Sequence, residues 1–234
     1  MRARVPVCSE TSLFLEAYTA GRMSTLPQTE RPLPRGRHAA PREVVWRSQR
    51  GRMLAAMATA VAEKGYGAVA VADVIGRAGV SRRTFYEHFE NKEACFLAAY
   101  EAGVETLLDA IDEAIRNAAP GGPLAVARAG TARYLETLAA NPAFARTFLV
   151  EVLAAGPAAL ELRARVHARF ADQLATIHRA AGGRGDAPPV VFRACVGAIH
   201  EVVTDHVITS GAQTLPALLD ALVDIETALL VREA

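Results

Sequence analysis

Apolar residues recur with the period of a helix through most of the chain. The clearest stripe is formed by Met53, Ala56, Met57, Ala60 and Val61. Their spacing of i, i+3, i+4, i+7 and i+8 places them on one face of a helix. Gly65 supplies a helix stop. The pattern therefore predicts an amphipathic helix that begins near Glu43 and ends before Gly65.

Gly, Pro and Asn divide the rest of the chain into further helical stretches. The predicted helices cover residues 71–78, 82–89, 91–118, 124–140, 143–155, 158–181, 190–210 and 215–232. No segment alternates every second residue between turn signals, so no sheet is predicted. The sequence thus predicts an all-α protein of about nine helices.

Charge and proline content divide the chain into three regions. Residues 1–42 hold five of the 12 prolines and seven arginines, which is typical of a flexible basic arm. Residues 1–100 carry 15 basic and nine acidic side chains, whereas residues 101–234 carry 11 and 16. A basic N-terminal part indicates contact with a polyanion. We expect separate domains over residues 43–90 and residues 91–234.

Composition excludes several classes of protein. Hydrophobic residues make up 51% of the 234 residues, which is too many for a disordered chain and too interrupted by charge for a membrane span. The three cysteines are far apart and show neither a disulfide framework nor a zinc motif. With no signal-peptide pattern at the N-terminus, we expect a cytoplasmic protein without membrane association.

Residues 71–89 have the physical properties of a helix-turn-helix. Gly79 can adopt the positive φ that a short turn between crossed helices requires. Ser81 lies where its hydroxyl can cap the next helix. Phe85 and Phe89 are four residues apart and can anchor that helix to the core. The other face of the helix is then left for contacts outside the domain.

That face carries side chains suited to reading DNA. Arg82 and Arg83 can donate paired hydrogen bonds to guanine, Thr84 can contact a thymine, and Tyr86 and His88 can bond phosphates. Two basic residues flank the motif. Arg47 lies in the preceding helix, and Lys92 begins the following one, where helix dipole and free amides favour an anion.

These motifs resemble the N-terminal domain of the TetR family of bacterial transcriptional regulators. The resemblance covers residues 52–100 and rests on the series from Met53 to Tyr66, Asp73 to Ser81, and Thr84 to Phe89, followed by Lys92. It implies that residues 82–88 form the recognition helix, that Tyr86 and His88 touch the DNA backbone, and that Lys92 grips a phosphate. Where the family often has Ser or Thr before the second helix, this chain has Val69 and Ala70.

The resemblance also implies that residues 43–90 form the DNA-binding domain and residues 91–234 a helical regulatory and dimerisation domain. The latter would form a homodimer through the last two helices and hold a small-molecule effector in a pocket among the middle helices. Apolar stripes that fit the dimer interface, or equally the core of one chain, comprise Ile199, Val203, Val207, Leu218, Leu222, Ile225 and Leu229. Aromatic and polar candidates for the ligand pocket, each also compatible with ordinary core or surface, are Arg133, Tyr134, Phe144, Phe148, His167, Phe170, His178 and His200.

The expected function is a DNA-binding regulator, most simply a ligand-responsive repressor that binds a palindromic operator as a dimer. An architectural DNA-binding protein without an effector is one alternative, and a helical-bundle enzyme is a distant one. The sequence shows no nucleophile elbow, zinc-protease, dinucleotide or phosphate-loop motif. No catalytic residue, metal site or cofactor is therefore predicted.

Overall fold

The computed structural model describes residues 42–184 and 186–230, and this part of the chain is helical, with no strand. It contains eight α-helices of seven or more residues and one single turn. The bounds are α1 Arg42–Lys64, α2 Val71–Ala78, α3 Arg82–His88, α4 Lys92–Ala118, α5 Gly122–Ala140, α6 Pro142–Ala145, α7 Pro157–Ala180, α8 Pro189–Thr209 and α9 Leu219–Leu230. The predicted all-α fold is confirmed. The predicted basic arm lies outside the described residues except for Arg42, which begins α1.

Two predicted helices need correction. In place of one helix over residues 143–155, α6 is followed by a π-helical stretch, Arg146–Val150, and a 3₁₀ turn, Glu151–Ala154. The last predicted helix begins later than expected, because Ala212–Leu218 is a 3₁₀ helix that contains Pro216. Proline lacks the N–H that an α-helix interior requires, so α9 starts after it.

The chain forms two compact units. The first ends at Thr106, and the second begins at Leu107. The division falls within α4. In the first unit, all five residues of the α1 stripe are at most 7% exposed. Phe85 and Phe96 are fully buried in the same unit, so the three helices that carry the DNA-binding motif have a continuous apolar core.

The second unit contains α5 to α9. One of its clusters joins Ala171 of α7 to Phe192 and Cys195 of α8 and to Leu230 of α9. Burial raises the pKa of the Cys195 thiol to about 12, which makes it a packing residue at neutral pH. Within the described residues, no helix is long and apolar enough to cross a membrane.

Candidate functional site

The start of α2 is capped by a carboxylate in place of a hydroxyl. The N-cap residue, Ala70, has no side-chain oxygen, but its backbone N–H donates to Asp73 Oδ2 over 2.8 Å. Asp73 also accepts from Lys64 Nζ at 2.5 Å. These two hydrogen bonds, led by that from Lys64, hold the pKa of Asp73 below its usual value. Asp73 therefore caps α2 although positions 69 and 70 carry no Ser or Thr.

The turn between α2 and α3 forms as the sequence predicts. Gly79 has φ of 61° and ψ of 41°, and its N–H donates to Ile75 O. Arg52 of α1 donates from Nη1 to the Ala78 carbonyl over 2.7 Å. A guanidinium at a helix C-terminus satisfies a carbonyl that the helix leaves unpaired and complements the helix dipole. Arg52 thus supports the turn, a role that sequence reasoning did not assign.

Ser81 is the N-cap of α3, as predicted. Its Oγ accepts from the Thr84 N–H at 3.0 Å and lies 2.9 Å from Thr84 Oγ1. Both hydroxyls are therefore engaged with each other, and Thr84 is half-buried. Phe85 is fully buried on the opposite side of the helix, which fixes the face that α3 presents to solvent.

That exposed face carries the arginines and the tyrosine of the predicted interface. The side chain of Arg83 is 89% exposed, and its Nε donates to Glu87 at 2.9 Å. The Arg82 guanidinium lies 5.8 Å from the centre of the Tyr86 ring, and Tyr86 is 47% exposed. An exposed ion pair contributes little stability, so the contact with Glu87 does not hold the Arg83 side chain strongly.

His88 lies at the end of α3 and is covered. Its ring stacks on Trp46 of α1 with 3.5 Å between centroids. Both ring nitrogens are inaccessible to solvent and have no hydrogen-bond partner in the described structure. Burial lowers the pKa of His88, and the charge of Arg50 lowers it further. A phosphate contact from His88 therefore requires Trp46 to move, and Trp46 was not among the predicted interface residues.

The two flanking basic residues already have contacts within the first unit. Lys92 Nζ donates to the Tyr66 carbonyl at 2.9 Å and lies 4.2 Å from the centre of the Tyr66 ring. Arg47 forms an i,i+4 ion pair with Glu43 at 3.3 Å. These contacts position both side chains, and their phosphate roles remain predictions.

The predicted ligand residues include three pairs of rings in contact. Phe144 pairs with Phe148 at 4.6 Å between centroids, and His167 with His200 at 4.3 Å. Tyr134 lies 6.5 Å from Phe170. Arg133 is exposed. A surface cleft of about 310 Å³ between α7 and α8 is bordered by Thr176, Arg179, Phe192 and Arg193, and none of the eight candidates borders it.

The eighth candidate, His178, belongs to a buried polar triad. Its Nε2 lies 2.8 Å from Glu226 Oε1, and Thr131 Oγ1 donates to Glu226 Oε2 at 3.0 Å. The three residues are at most 6% exposed and link α5, α7 and α9. Sequence reasoning missed Glu226, although its position four residues from both Leu222 and Leu230 on an apolar stripe is a signal for a buried acid.

Three of the predicted dimer residues are buried within a single chain. Val203 and Leu222 are fully buried, and Val207 is 7% exposed, so they contribute to the core of the second unit. The half-buried members are Ile199, Leu218, Ile225 and Leu229. Val202 and Ile208 of α8 are 38% and 58% exposed and extend the apolar surface beyond the predicted set.

A capped helix, a glycine turn and a second helix anchored on one side and basic on the other define a helix-turn-helix DNA-binding protein. Residues 54–99 match the model of bacterial regulatory proteins of the tetR family. The match covers the helix-turn-helix, and in this segment the chain is similar to the DNA-binding domain of that family of transcriptional regulators.

Two characterised relatives from Mycolicibacterium smegmatis are similar in sequence. The transcriptional regulator EthR is 29% identical over 172 residues, which are 72% of this chain and 75% of EthR. The transcriptional activator FasR is 32% identical over 68 residues. That match spans 29% of this chain and 31% of FasR, so it bears on less than a third of either protein.

The fold is shared with a solved regulator. The transcriptional regulator FadR from Bacillus subtilis, crystallised in complex with stearoyl-CoA, has a TM-score of 0.63 and 19% identity. The likeness covers 74% of this chain and 95% of FadR. It extends well beyond the helix-turn-helix and therefore includes helices of the second unit.

Proposed function

We propose that this protein is a ligand-responsive repressor that binds a palindromic operator as a homodimer. The observation that carries the proposal is the exposed face of α3, which presents Arg82, Arg83 and Tyr86 while Phe85 fixes the helix to the core. A short helix held this way can enter the major groove as a rigid reading element.

We assign base reading to Arg82, Arg83 and Thr84, and backbone contacts to Tyr86, Lys92 and Arg47. Ser81 is proposed to contact DNA while capping α3, because it is exposed at the N-terminus of that helix. His88 is proposed to join the backbone contacts only when the Trp46 ring is displaced. The described residues of α3 include Glu87, which neutralises Arg83 until DNA replaces it.

The dimer is proposed to use the last two helices. Val202 and Ile208 are exposed apolar side chains on α8, and Ile199 and Ile225 are half-buried on α8 and α9. Exposed apolar side chains on neighbouring helices are suited to a four-helix contact between two copies. A two-fold dimer presents two symmetry-related copies of α3, and a palindromic operator has the matching symmetry.

Ligand response is proposed for the second unit. The resemblance in fold to FadR, which was crystallised with stearoyl-CoA, supports a site among these helices. We propose that the ligand releases the protein from its operator. FasR is named as an activator, so the direction of regulation needs a reporter measurement.

The function is tested by titrating the protein with its own promoter region and with a scrambled duplex at several salt concentrations. We expect tighter binding to the promoter, a palindromic footprint and an affinity that falls steeply with salt. Sedimentation should show a dimer at micromolar concentration, and Val202→Asp should shift it to monomer, whereas Leu160→Asp on exposed α7 surface should not. Equal affinity for both duplexes would refute sequence-specific binding, and a monomeric wild type would refute the dimer.

A further inference from the structure

Helices α7 and α8 bring four polar side chains together inside the second unit. Ala171 packs with Phe192 and Cys195, and His167 packs against His200. Rising numbers on α7 therefore face falling numbers on α8, and the two helices are antiparallel.

The side chains one turn away complete the group. Arg163 precedes His167 by four residues on α7, and Thr204 follows His200 by four residues on α8. Residues four apart share a helix face, so the antiparallel arrangement places Arg163 level with Thr204. We call Arg163, His167, His200 and Thr204 the polar cluster.

Each member of the polar cluster has a buried atom without a hydrogen-bond partner. Arg163 Nε, His167 Nε2, His200 Nε2 and Thr204 Oγ1 are inaccessible to solvent and unpartnered in the described structure. His200 and Thr204 are each 9% exposed as whole residues. Buried polar groups in proteins are nearly always hydrogen bonded, so four unpartnered atoms on adjoining turns indicate a binding function.

The cluster has a positive charge that no acidic group offsets. Arg163 forms no ion pair with a carboxylate in the described residues. Burial, followed by the charge of Arg163, lowers the pKa of His167 to about 4. Burial is also the main cause that lowers the pKa of His200 to about 3. At neutral pH both imidazoles are uncharged, and the cluster carries the single charge of Arg163.

The chemistry of these groups selects an anion. A guanidinium makes charge-assisted hydrogen bonds to carboxylates and phosphates, and a hydroxyl and a neutral imidazole can each donate one more. The described residues contain no group of three or more His, Cys, Asp and Glu that could hold a metal ion, and Arg163 would repel one.

We infer that the polar cluster binds an oxyanion, a carboxylate or a phosphate, carried by the effector of this regulator. The inference rests on the proposed ligand response and specifies its chemistry. Arg163 would supply the charge, and Thr204, His167 and His200 would satisfy the remaining oxygen lone pairs.

The test measures binding of decanoate and of inorganic phosphate to the full chain by calorimetry. We expect at least one probe to bind the wild type and to lose at least about tenfold affinity in Arg163→Gln, because a hydrogen bond to a charged group is removed. Arg165→Gln is the matched control, because Arg165 is an exposed arginine on the same helix and the charge change is identical. It should bind as the wild type does.

Thr204→Val preserves shape and removes only the hydroxyl, so it decides the matter if Arg163→Gln does not fold. Binding of decanoate alone identifies a carboxylate ligand, whereas competition by phosphate identifies a phosphate ligand. The site is overturned if neither probe binds the wild type, or if the folded Arg163→Gln and Thr204→Val proteins bind as tightly as the wild type. Operator affinity measured in parallel separates the two proposals, because failure of the site alone leaves sequence-specific DNA binding intact.

Discussion

The caps of the helix-turn-helix and the polar side chains between α7 and α8 differ in whether they have hydrogen-bond partners within the chain. In the DNA-binding motif, Asp73, Ser81 and Arg52 each bond a backbone group that would otherwise be unpaired. In the α7–α8 pair, His200 and Thr204 are buried with unpartnered atoms. The helix ends and the turn of the first region are thus satisfied within its own chain, whereas the ring nitrogens of His88 are not. The second region keeps buried polar atoms without a partner in the described residues, which is the pattern that the proposed oxyanion site would explain.

The largest effect that tests this comparison concerns the buried triad, in which Glu226 contacts both His178 and Thr131. Glu226→Ala would leave His178 and Thr131 buried without their shared acceptor. We expect a loss of about 3–5 kcal/mol in the free energy of unfolding, measured with urea. Asp224→Ala, which removes an exposed carboxylate from the same helix, should change stability by less than about 0.5 kcal/mol. Equal small losses in both variants would mean that the triad contributes no more than a surface residue.

Acidification should affect the second region through His200. Its pKa of about 3 in the folded state is below the ordinary value, so the unfolded chain binds a proton that the folded chain does not. Stability is therefore retained above about pH 6.5 and falls as the pH drops below it, by about 2 kcal/mol at pH 5 for this group. Urea unfolding of the wild type and His200→Gln at pH 7.5 and 5 measures the difference. The same loss in both proteins would show that His200 is not the group responsible.

In the DNA-binding motif, variants of Arg83 and Lys92 should distinguish a base contact from a phosphate contact. Arg83→Ala is expected to cost about 1–3 kcal/mol on the operator and little on scrambled duplex, because it removes a base contact. Lys92→Ala should instead weaken binding to both duplexes and make the salt slope shallower by about one unit. Anisotropy titrations with both duplexes decide between these roles. An equal loss on both duplexes for Arg83→Ala would make it a phosphate contact.

The same comparison explains what the sequence could predict. The predicted end of α2 and the predicted start of α3 match the structure because each depends on a single nearby residue. Gly79 ends α2, and Ser81 caps α3. The helix predicted over residues 143–155 was wrong because Thr147, Phe148 and Leu149 are all buried, and tertiary packing can override a local helical pattern. Glu226 and the pairing of Arg163 with Thr204 depend on contacts between helices distant in sequence, which periodicity does not report.

The cap of α3 should give a smaller effect than the triad. Ser81→Ala removes the oxygen that accepts from the Thr84 N–H, and the expected loss is about 1 kcal/mol of stability. Ser81→Asn, another good N-cap, should restore most of it. Thermal or urea unfolding measures both variants. A Ser81→Ala protein as stable as the wild type would show that the cap is dispensable, and any loss of DNA affinity would then be a direct contact.

The smallest expected effect is the response of His88 to the loss of its cover. Trp46 stacks on the His88 ring, and burial is the main cause that lowers the pKa of His88. Trp46→Ala should expose the ring and raise that pKa toward its ordinary value, although the charge of Arg50 continues to lower it. Trp46→Phe keeps an aromatic cover and should keep the pKa low. NMR titration of the His88 ring protons in the three proteins measures the shift.

Because the folded-state pKa of His88 is depressed, the wild type should lose stability as the pH falls below the ordinary histidine pKa, and Trp46→Ala should lose less. An unchanged pKa in Trp46→Ala would mean that the indole does not cover the ring in solution, and His88 would then be available to phosphate without any movement of α1.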